Sequence, residues 1–228
     1  MDQSLLTKFN LDSSSVSVPN FIAIEGPIGV GKTTLTKKLA SSLNYEVILE
    51  EPDTNPFLER FYRDRKNHAL PVQLHFLFQR LKKMEDIRQG DIFESVKVSD
   101  FIIEKDPIFA RVTLDDHEYQ LYNKVYESII CDLPKPDIVI YLQAPTPALV
   151  QRVKLRGRAV ERQMEENYLA QLNDAYTQFF YHYDDTPLLI VNTGIINLAK
   201  NEQDYNDLLK YLLTKRISRN YYNPKSEL

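Results

Sequence analysis

This sequence predicts an α/β fold in which a five-stranded parallel sheet is flanked by helices. Three observations carry the prediction: short apolar runs that suit strands buried on both faces, helical patterns between them, and a glycine cluster at the first strand-to-helix turn. Strands alternating with helices require right-handed crossovers, and such sheets take ligands at the carboxyl ends of their strands.

The elements follow in order. Residues 1–18 are serine-rich without a clear period and read as a flexible arm, leaving residues 19–228 as a single domain. Phe21–Ile24 is the first apolar run; the others are Tyr45–Leu49, Val96–Val98, Ile138–Leu142 and Leu188–Val191. Helical patterns cover Thr33–Leu43, Val72–Arg88 and Asp115–Ile130, and Asn201–Leu213 reads as a closing helix before a frayed end, NPKSEL. The residues just past the strands are therefore the first to inspect: Glu25, Glu50–Pro52, Ser99–Asp100, Gln143–Pro145 and Asn192–Thr193.

Composition narrows the function classes. The 228 residues suffice for one core that buries about 70–75% of the unfolded chain's surface. At 43% hydrophobic and 26% charged, the chain is not a disordered one. A single cysteine, Cys131, excludes a disulfide framework, and His68, His75, His117 and His182 share no zinc-like spacing. The formal charge of −4 lacks the basic field that polymeric nucleic acid calls for. No stretch approaches the roughly 18 apolar residues of a membrane span, and the first twenty residues lack the parts of an export signal. A cytoplasmic protein with no membrane partner is expected, and a phosphate-bearing ligand would need a local site.

That site is visible. Of 6 glycines, Gly26, Gly29 and Gly31 fall within six positions, in the run Gly26-Pro27-Ile28-Gly29-Val30-Gly31-Lys32-Thr33, with Thr34 following. This is the Walker A spacing, set between a predicted strand and a predicted helix. The glycines let backbone N–H groups curl around phosphates, the helix contributes its positive end, Lys32 reaches the outer phosphates and the Thr33 hydroxyl ligates Mg²⁺. An ordinary strand-to-helix turn has no use for Lys followed by Thr at that offset. ATP and Mg²⁺ are the expected cofactors. A switch GTPase would need a guanine reader, but the pair Asn123-Lys124 is followed by Val125 and Tyr126 inside a helical pattern. A small-molecule kinase fits best, which requires a second pocket, an acid for the acceptor hydroxyl and a cationic lid.

The segments EGPIGVGKTT, EEPDTNPFLERFY, YRDRKNHALPVQLHFLFQR, SDFIIEKDPIFA and LRGRAVER occur in an order that resembles the deoxycytidine/deoxyguanosine/deoxyadenosine kinase family, in its bacterial form, from about Phe21 to Thr193. The resemblance implies a P-loop kinase that phosphorylates a deoxyribonucleoside at its 5′-hydroxyl. Glu51, in the Glu-Pro pair, matches the general base, with Glu50 a competitor. Tyr62 matches the tyrosine on the sugar 3′-hydroxyl, and Gln73, eleven residues later, the glutamine that pairs with the base. Phe76 and Arg80 share the helix face of Gln73 and would line the same wall. Asp100 matches a Walker B-like carboxylate for Mg²⁺. It lacks the arginine that eukaryotic relatives place beside it, a role open to Lys105 or the lid. Asp106, with Glu104 as alternative, would pair with Arg80, and Phe109 would stack on the base. A lid at about 152–165 carries Arg152, Arg156, Arg158 and Arg162, with Arg156 and Arg158 on the transferred phosphoryl group and Glu161 at the 3′-hydroxyl. Asn192 and Thr193 would hold the adenine of ATP through backbone groups. The resemblance further implies nucleotide salvage, deoxyadenosine or deoxyguanosine as substrate, and a homodimer. The rival readings are a thymidylate-type nucleotide kinase and a non-catalytic NTP-binding module.

Overall fold

The computed structural model describes Phe9, residues 18–89 and residues 96–223. The flexible arm expected at 1–18 lies outside these residues except for Phe9 and Val18, which pack against the core, and so does the expected fraying beyond Asn223.

Six strands form one all-parallel sheet: β1 (Phe21–Glu25), β2 (Glu46–Ile48), β3 (Lys97–Ser99), β4 (Ile138–Gln143), β5 (Leu188–Asn192) and β6 (Arg219–Tyr222), in the order β2-β3-β1-β4-β5-β6. The five expected strands are present and the sixth corrects the count. Two of its four residues are exposed and only Tyr222 is buried, so β6 carries no apolar run to read. Its place at the sheet edge is secured by Arg219, whose guanidinium donates to the carbonyls of Phe180, Tyr181 and Tyr183.

The helices are α1 (Lys32–Leu43), α2 (Leu58–Arg63), α3 (Arg65–Gln89), α4 (Asp106–Thr113), α5 (Asp116–Ile129), α6 (Thr146–Arg156), α7 (Glu166–His182) and α8 (Glu202–Thr214). Helix α3 starts seven residues before the expected Val72, with Pro71 inside it. Proline removes one helical hydrogen bond, which usually argues for a boundary; here buried Ala69 and Val72 on either side keep the helix continuous. Helix α5 begins with a capping box, Asp115 accepting from the His117 and Glu118 N–H groups while Glu118 accepts from the Asp115 N–H.

Alternation along the strands divides the core into two layers. Ile22, Ile24, Ile140, Leu142, Leu189 and Val191 face α1 and α8, while Ala23, Val139, Tyr141, Leu188 and Ile190 face α7. The second layer is aromatic: Tyr141 stacks on Phe180 with ring centroids 4.1 Å apart. Helices α3, α4 and α5 pack around the carboxyl end of β3 and supply the walls of the site.

Candidate active site

The loop from Gly26 to Gly31 leaves β1 and enters α1 through backbone conformations that glycine favours, with φ of +147° at Gly26 and +108° at Gly31. At Gly26 a side chain is also excluded by space, since a Cβ would lie 2.3 Å from the Leu142 carbonyl oxygen. The loop thus lies against β4, and Gly29 against Leu149 and Val153 of α6. The Lys32 ammonium donates to the Gly26 carbonyl at 2.6 Å, and its pKa is lowered by burial. Thr34 sits exposed in the first turn of α1.

Beside the loop, Asp100 ties the ends of β2 and β3 to the first turn of α1. Its Oδ2 accepts from the Thr33 hydroxyl at 2.6 Å and its Oδ1 from the Glu50 N–H at 2.7 Å. Burial, and then the nearby Glu50 charge, raises its pKa. The Thr33 hydroxyl and Asp100 carboxylate are hard oxygen donors, as Mg²⁺ prefers. Among the described residues no three His, Cys, Asp or Glu side chains gather as a metal cage, and Mg²⁺ bound with nucleotide needs only one or two carboxylates besides phosphate oxygens.

Glu50 is the carboxylate that faces this centre. It accepts from Lys105 Nζ at 2.8 Å and from Arg80 Nε. Burial alone would raise its pKa, but the charges of Arg80, Lys105 and Lys32 outweigh it and hold Glu50 well below the usual carboxylate range. Glu51, expected as the proton acceptor, points elsewhere: its side chain is 58% exposed and lies 3.2 Å from Lys83 on the outer side of α3. The physical reason is the extended chain at the end of β2, where neighbouring residues project to opposite sides. The proline that favoured Glu51 in the sequence opens a short 3₁₀ turn, Pro52–Thr54, that leads away from the loop.

The charges continue inward. Arg80 also donates to Asp106 Oδ1, and its guanidinium lies 5.2 Å from the ring of Phe76. Lys105 bridges back to Glu25 Oε2 at 3.3 Å. Glu25 in turn accepts from the Gly26 and Ile102 N–H groups and the Tyr176 hydroxyl. Glu25, Lys105, Glu50, Arg80 and Asp106 therefore form a chain of alternating charge that is buried except at Glu50, which is partly exposed. Asp106 is fully buried with Oδ2 unpartnered, and burial pushes its pKa up to about 6 despite Arg80 and Lys105. Glu104, the alternative to Asp106, has no part in the Arg80 pair; its pKa is raised by burial. Gln73, 2% exposed, donates through Nε2 to the Thr113 hydroxyl at 3.2 Å. Phe109 meets Tyr176 edge-on with centroids 5.9 Å apart.

A third group lies across the entrance. Arg156 donates through Nε to the buried Glu161 at 3.1 Å, and Arg158 lies 3.8 Å from Asp53. The Tyr62 phenol is driven well above its ordinary pKa by burial and then by Tyr168 and Glu161, so Tyr62 and Glu161 share one microenvironment. The expected lid residues divide between two elements: Arg152 and Arg156 belong to α6, which is capped by Gly157 with φ +67°, and the turn Ala159–Gln163 follows. Arg162 is exposed. Arg152 instead links the Val30 carbonyl, at 3.4 Å, to Thr193, whose carbonyl it reaches at 2.6 Å. Asn192, expected at the adenine, turns its side chain to the Gly194 N–H and to Asn223.

Glu25 and Thr113 carry no expected role in the sequence reading, and Lys105 only that of a substitute. The last residue of an apolar run is a weak signal for Glu25. For Thr113 there is none, because its partner lies forty residues away on another helix.

The family model "Deoxynucleoside kinase" matches residues 22–218. The chain is 40% identical over 157 residues to a deoxyguanosine kinase of Bacillus subtilis (strain 168), covering 68% of this chain and 76% of the relative. It is 31% identical over 200 residues to a deoxyadenosine/deoxycytidine kinase of the same organism, covering 83% and 90%. Among solved structures, deoxyadenosine kinase from M. mycoides with bound dATP is similar with a TM-score of 0.73 and 30% identity, over 83% of this chain and 98% of that one. With a phosphate loop, a buried acid beside it and a family match along most of its length, the chain belongs to the deoxynucleoside kinase family.

Proposed function

We propose that the chain transfers the γ-phosphoryl group of ATP to the 5′-hydroxyl of a purine deoxyribonucleoside, deoxyadenosine or deoxyguanosine, with Glu50 as the acceptor of the hydroxyl proton. The observation that carries this reading is the position of Glu50, fixed by Arg80, Lys105 and the Asp100 bond at the mouth of the phosphate loop.

Phosphoryl transfer is governed mostly by positioning and electrostatics, so the base need not be strong. An ionised Glu50 can orient the hydroxyl in line with the γ-phosphate and take its proton as the new P–O bond forms. Lys32 and the loop N–H groups hold the outer phosphates. Thr33 and Asp100 would hold Mg²⁺, which when bound would supply positive charge against the phosphates. Arg156 and Arg158 close over the transferred group, and Tyr62 with Glu161 receives the 3′-hydroxyl. Gln73 pairs with the base edge, between Phe76 and Phe109, while Arg80 and Asp106 complete the inner wall. Arg152 with the Asn192–Thr193 turn lies toward the adenosine of ATP. Similarity to deoxyguanosine and deoxyadenosine kinases supports a purine acceptor.

A cytoplasmic homodimer acting in nucleotide salvage, without nucleic-acid or membrane partners, completes the reading. Exposed Phe78 on α3 and Leu121 on α5 support a helical dimer face, and light scattering after gel filtration checks it. The decisive assay supplies ATP and Mg²⁺ with each of the four deoxyribonucleosides and with dTMP. Turnover of a purine deoxyribonucleoside is the expected result. Preference for dTMP would favour a nucleotide kinase, and ATP binding without turnover a regulatory module.

A further inference from the structure

We propose that Thr113, the last residue of α4, is a specificity-determining residue that sets which purine the site prefers, by fixing the side-chain amide of Gln73 in one of its two orientations. The inference rests on the functional reading above. Its support is a directional pair of hydrogen bonds. The Thr113 hydroxyl donates its only hydrogen to the Phe109 carbonyl one turn earlier, at 2.7 Å. Towards any other group it can then only accept. The Gln73 amide lies 3.2 Å from it and must present Nε2, not Oε1. With the amide reversed, two acceptors would face each other. Oε1 accepts from no described residue, so Gln73 turns toward the pocket one acceptor and the remaining N–H of Nε2 in a fixed order.

That order matters because the two purines reverse it. Adenine carries a donor at position 6 and an acceptor at N1, whereas guanine carries an acceptor at position 6 and a donor at N1. A free amide would serve either base by turning over. A pinned one pairs with one base and sets like against like with the other, which leaves buried polar groups unmatched and discriminates strongly. Gln73 is the residue that touches the base; Thr113 acts through it and is a positioning residue.

The test compares kcat/KM for deoxyadenosine and deoxyguanosine in the wild type, Thr113→Val, Thr113→Ala and Thr113→Ser. In the wild type the two values should differ by more than tenfold. Thr113→Val keeps the shape and removes the hydroxyl, so the ratio should move at least fivefold toward one, while Thr113→Ser should retain it. Thr113→Ala removes the same acceptor and provides the answer if the valine variant folds poorly. A wild-type ratio within twofold of one overturns the inference, as do valine and alanine variants whose ratio is unchanged or a serine variant that loses discrimination as they do. Equal loss toward both substrates marks a purely structural role and also overturns it. Absence of turnover with any deoxyribonucleoside refutes the functional reading itself and is distinct from these outcomes.

Discussion

Glu50 and Glu51 are consecutive residues in different environments: Glu50 is partly buried against Arg80 and Lys105, and Glu51 is exposed, 3.2 Å from Lys83. Replacing each by glutamine separates their roles. Glu50→Gln should lower kcat by about 10²–10⁴-fold, the usual contribution of a positioned proton acceptor. Glu51→Gln should stay within about twofold of the wild type, because an exposed pair contributes about 0–1 kcal/mol. Steady-state kinetics on both variants decides, and the opposite ranking would return the base to Glu51.

Arg80 holds two acids, Glu50 and Asp106, and is itself 3% exposed. Arg80→Met should destabilise the fold by about 3–5 kcal/mol, since it leaves buried carboxylates without their counter-charge. For a chain of this size that is a fall in Tm of about 6–20 °C. Arg80→Lys retains the charge without the two-armed geometry and should lie between. Thermal unfolding followed by circular dichroism measures all three proteins; a Met variant as stable as the wild type would show that the pair contributes nothing.

Two of the three loop glycines, Gly26 and Gly31, should respond differently to alanine. At Gly26 a Cβ meets the Leu142 backbone oxygen at 2.3 Å, which no side-chain movement relieves, so Gly26→Ala should lose nucleotide binding and folded yield together. At Gly31 a Cβ meets nothing within 4 Å, and the cost reduces to a left-handed backbone, about 1–2 kcal/mol. Denaturant titration and ATP-binding measurements on the pair check the difference.

The sheet and the phosphate loop are legible in the sequence for a simple reason. Strands β1, β4 and β5 are buried on both faces and read as uninterrupted apolar runs, and the loop needs glycine at positions that only glycine satisfies. The edge strand β6 is not legible, because one side of it faces solvent and its residues read as polar. The choice between Glu50 and Glu51 turns on the register of β2 against β3, where the Asp100 N–H meets the Ile48 carbonyl. Register is a tertiary property, which a local proline signal does not carry. The Arg80–Asp106 pairing was accessible through the family resemblance; the roles of Glu25 and Thr113 depend on contacts between elements far apart in sequence.

Asp106 gives the pH dependence a definite sign. Burial raises its pKa from 3.8 to about 6, with Arg80 and Lys105 only partly offsetting it. The folded protein therefore holds a proton between pH 4 and 6 that the unfolded chain has released. By linkage, the stability contributed by this group is complete below about pH 4 and is lost as the pH rises through about 6. Asp106→Asn removes the titration and keeps a neutral side chain of the same shape. The depressed pKa of Glu50 acts in both proteins and largely cancels in the comparison. Unfolding free energies measured at pH 4, 5, 6 and 7 should therefore shift progressively in favour of the variant as pH increases, by at most about 3 kcal/mol at about 1.4 kcal/mol per unit of pKa difference. A difference that is flat with pH, or that moves toward the wild type, would mean that Asp106 stays ionised in the fold and that Arg80 outweighs its burial.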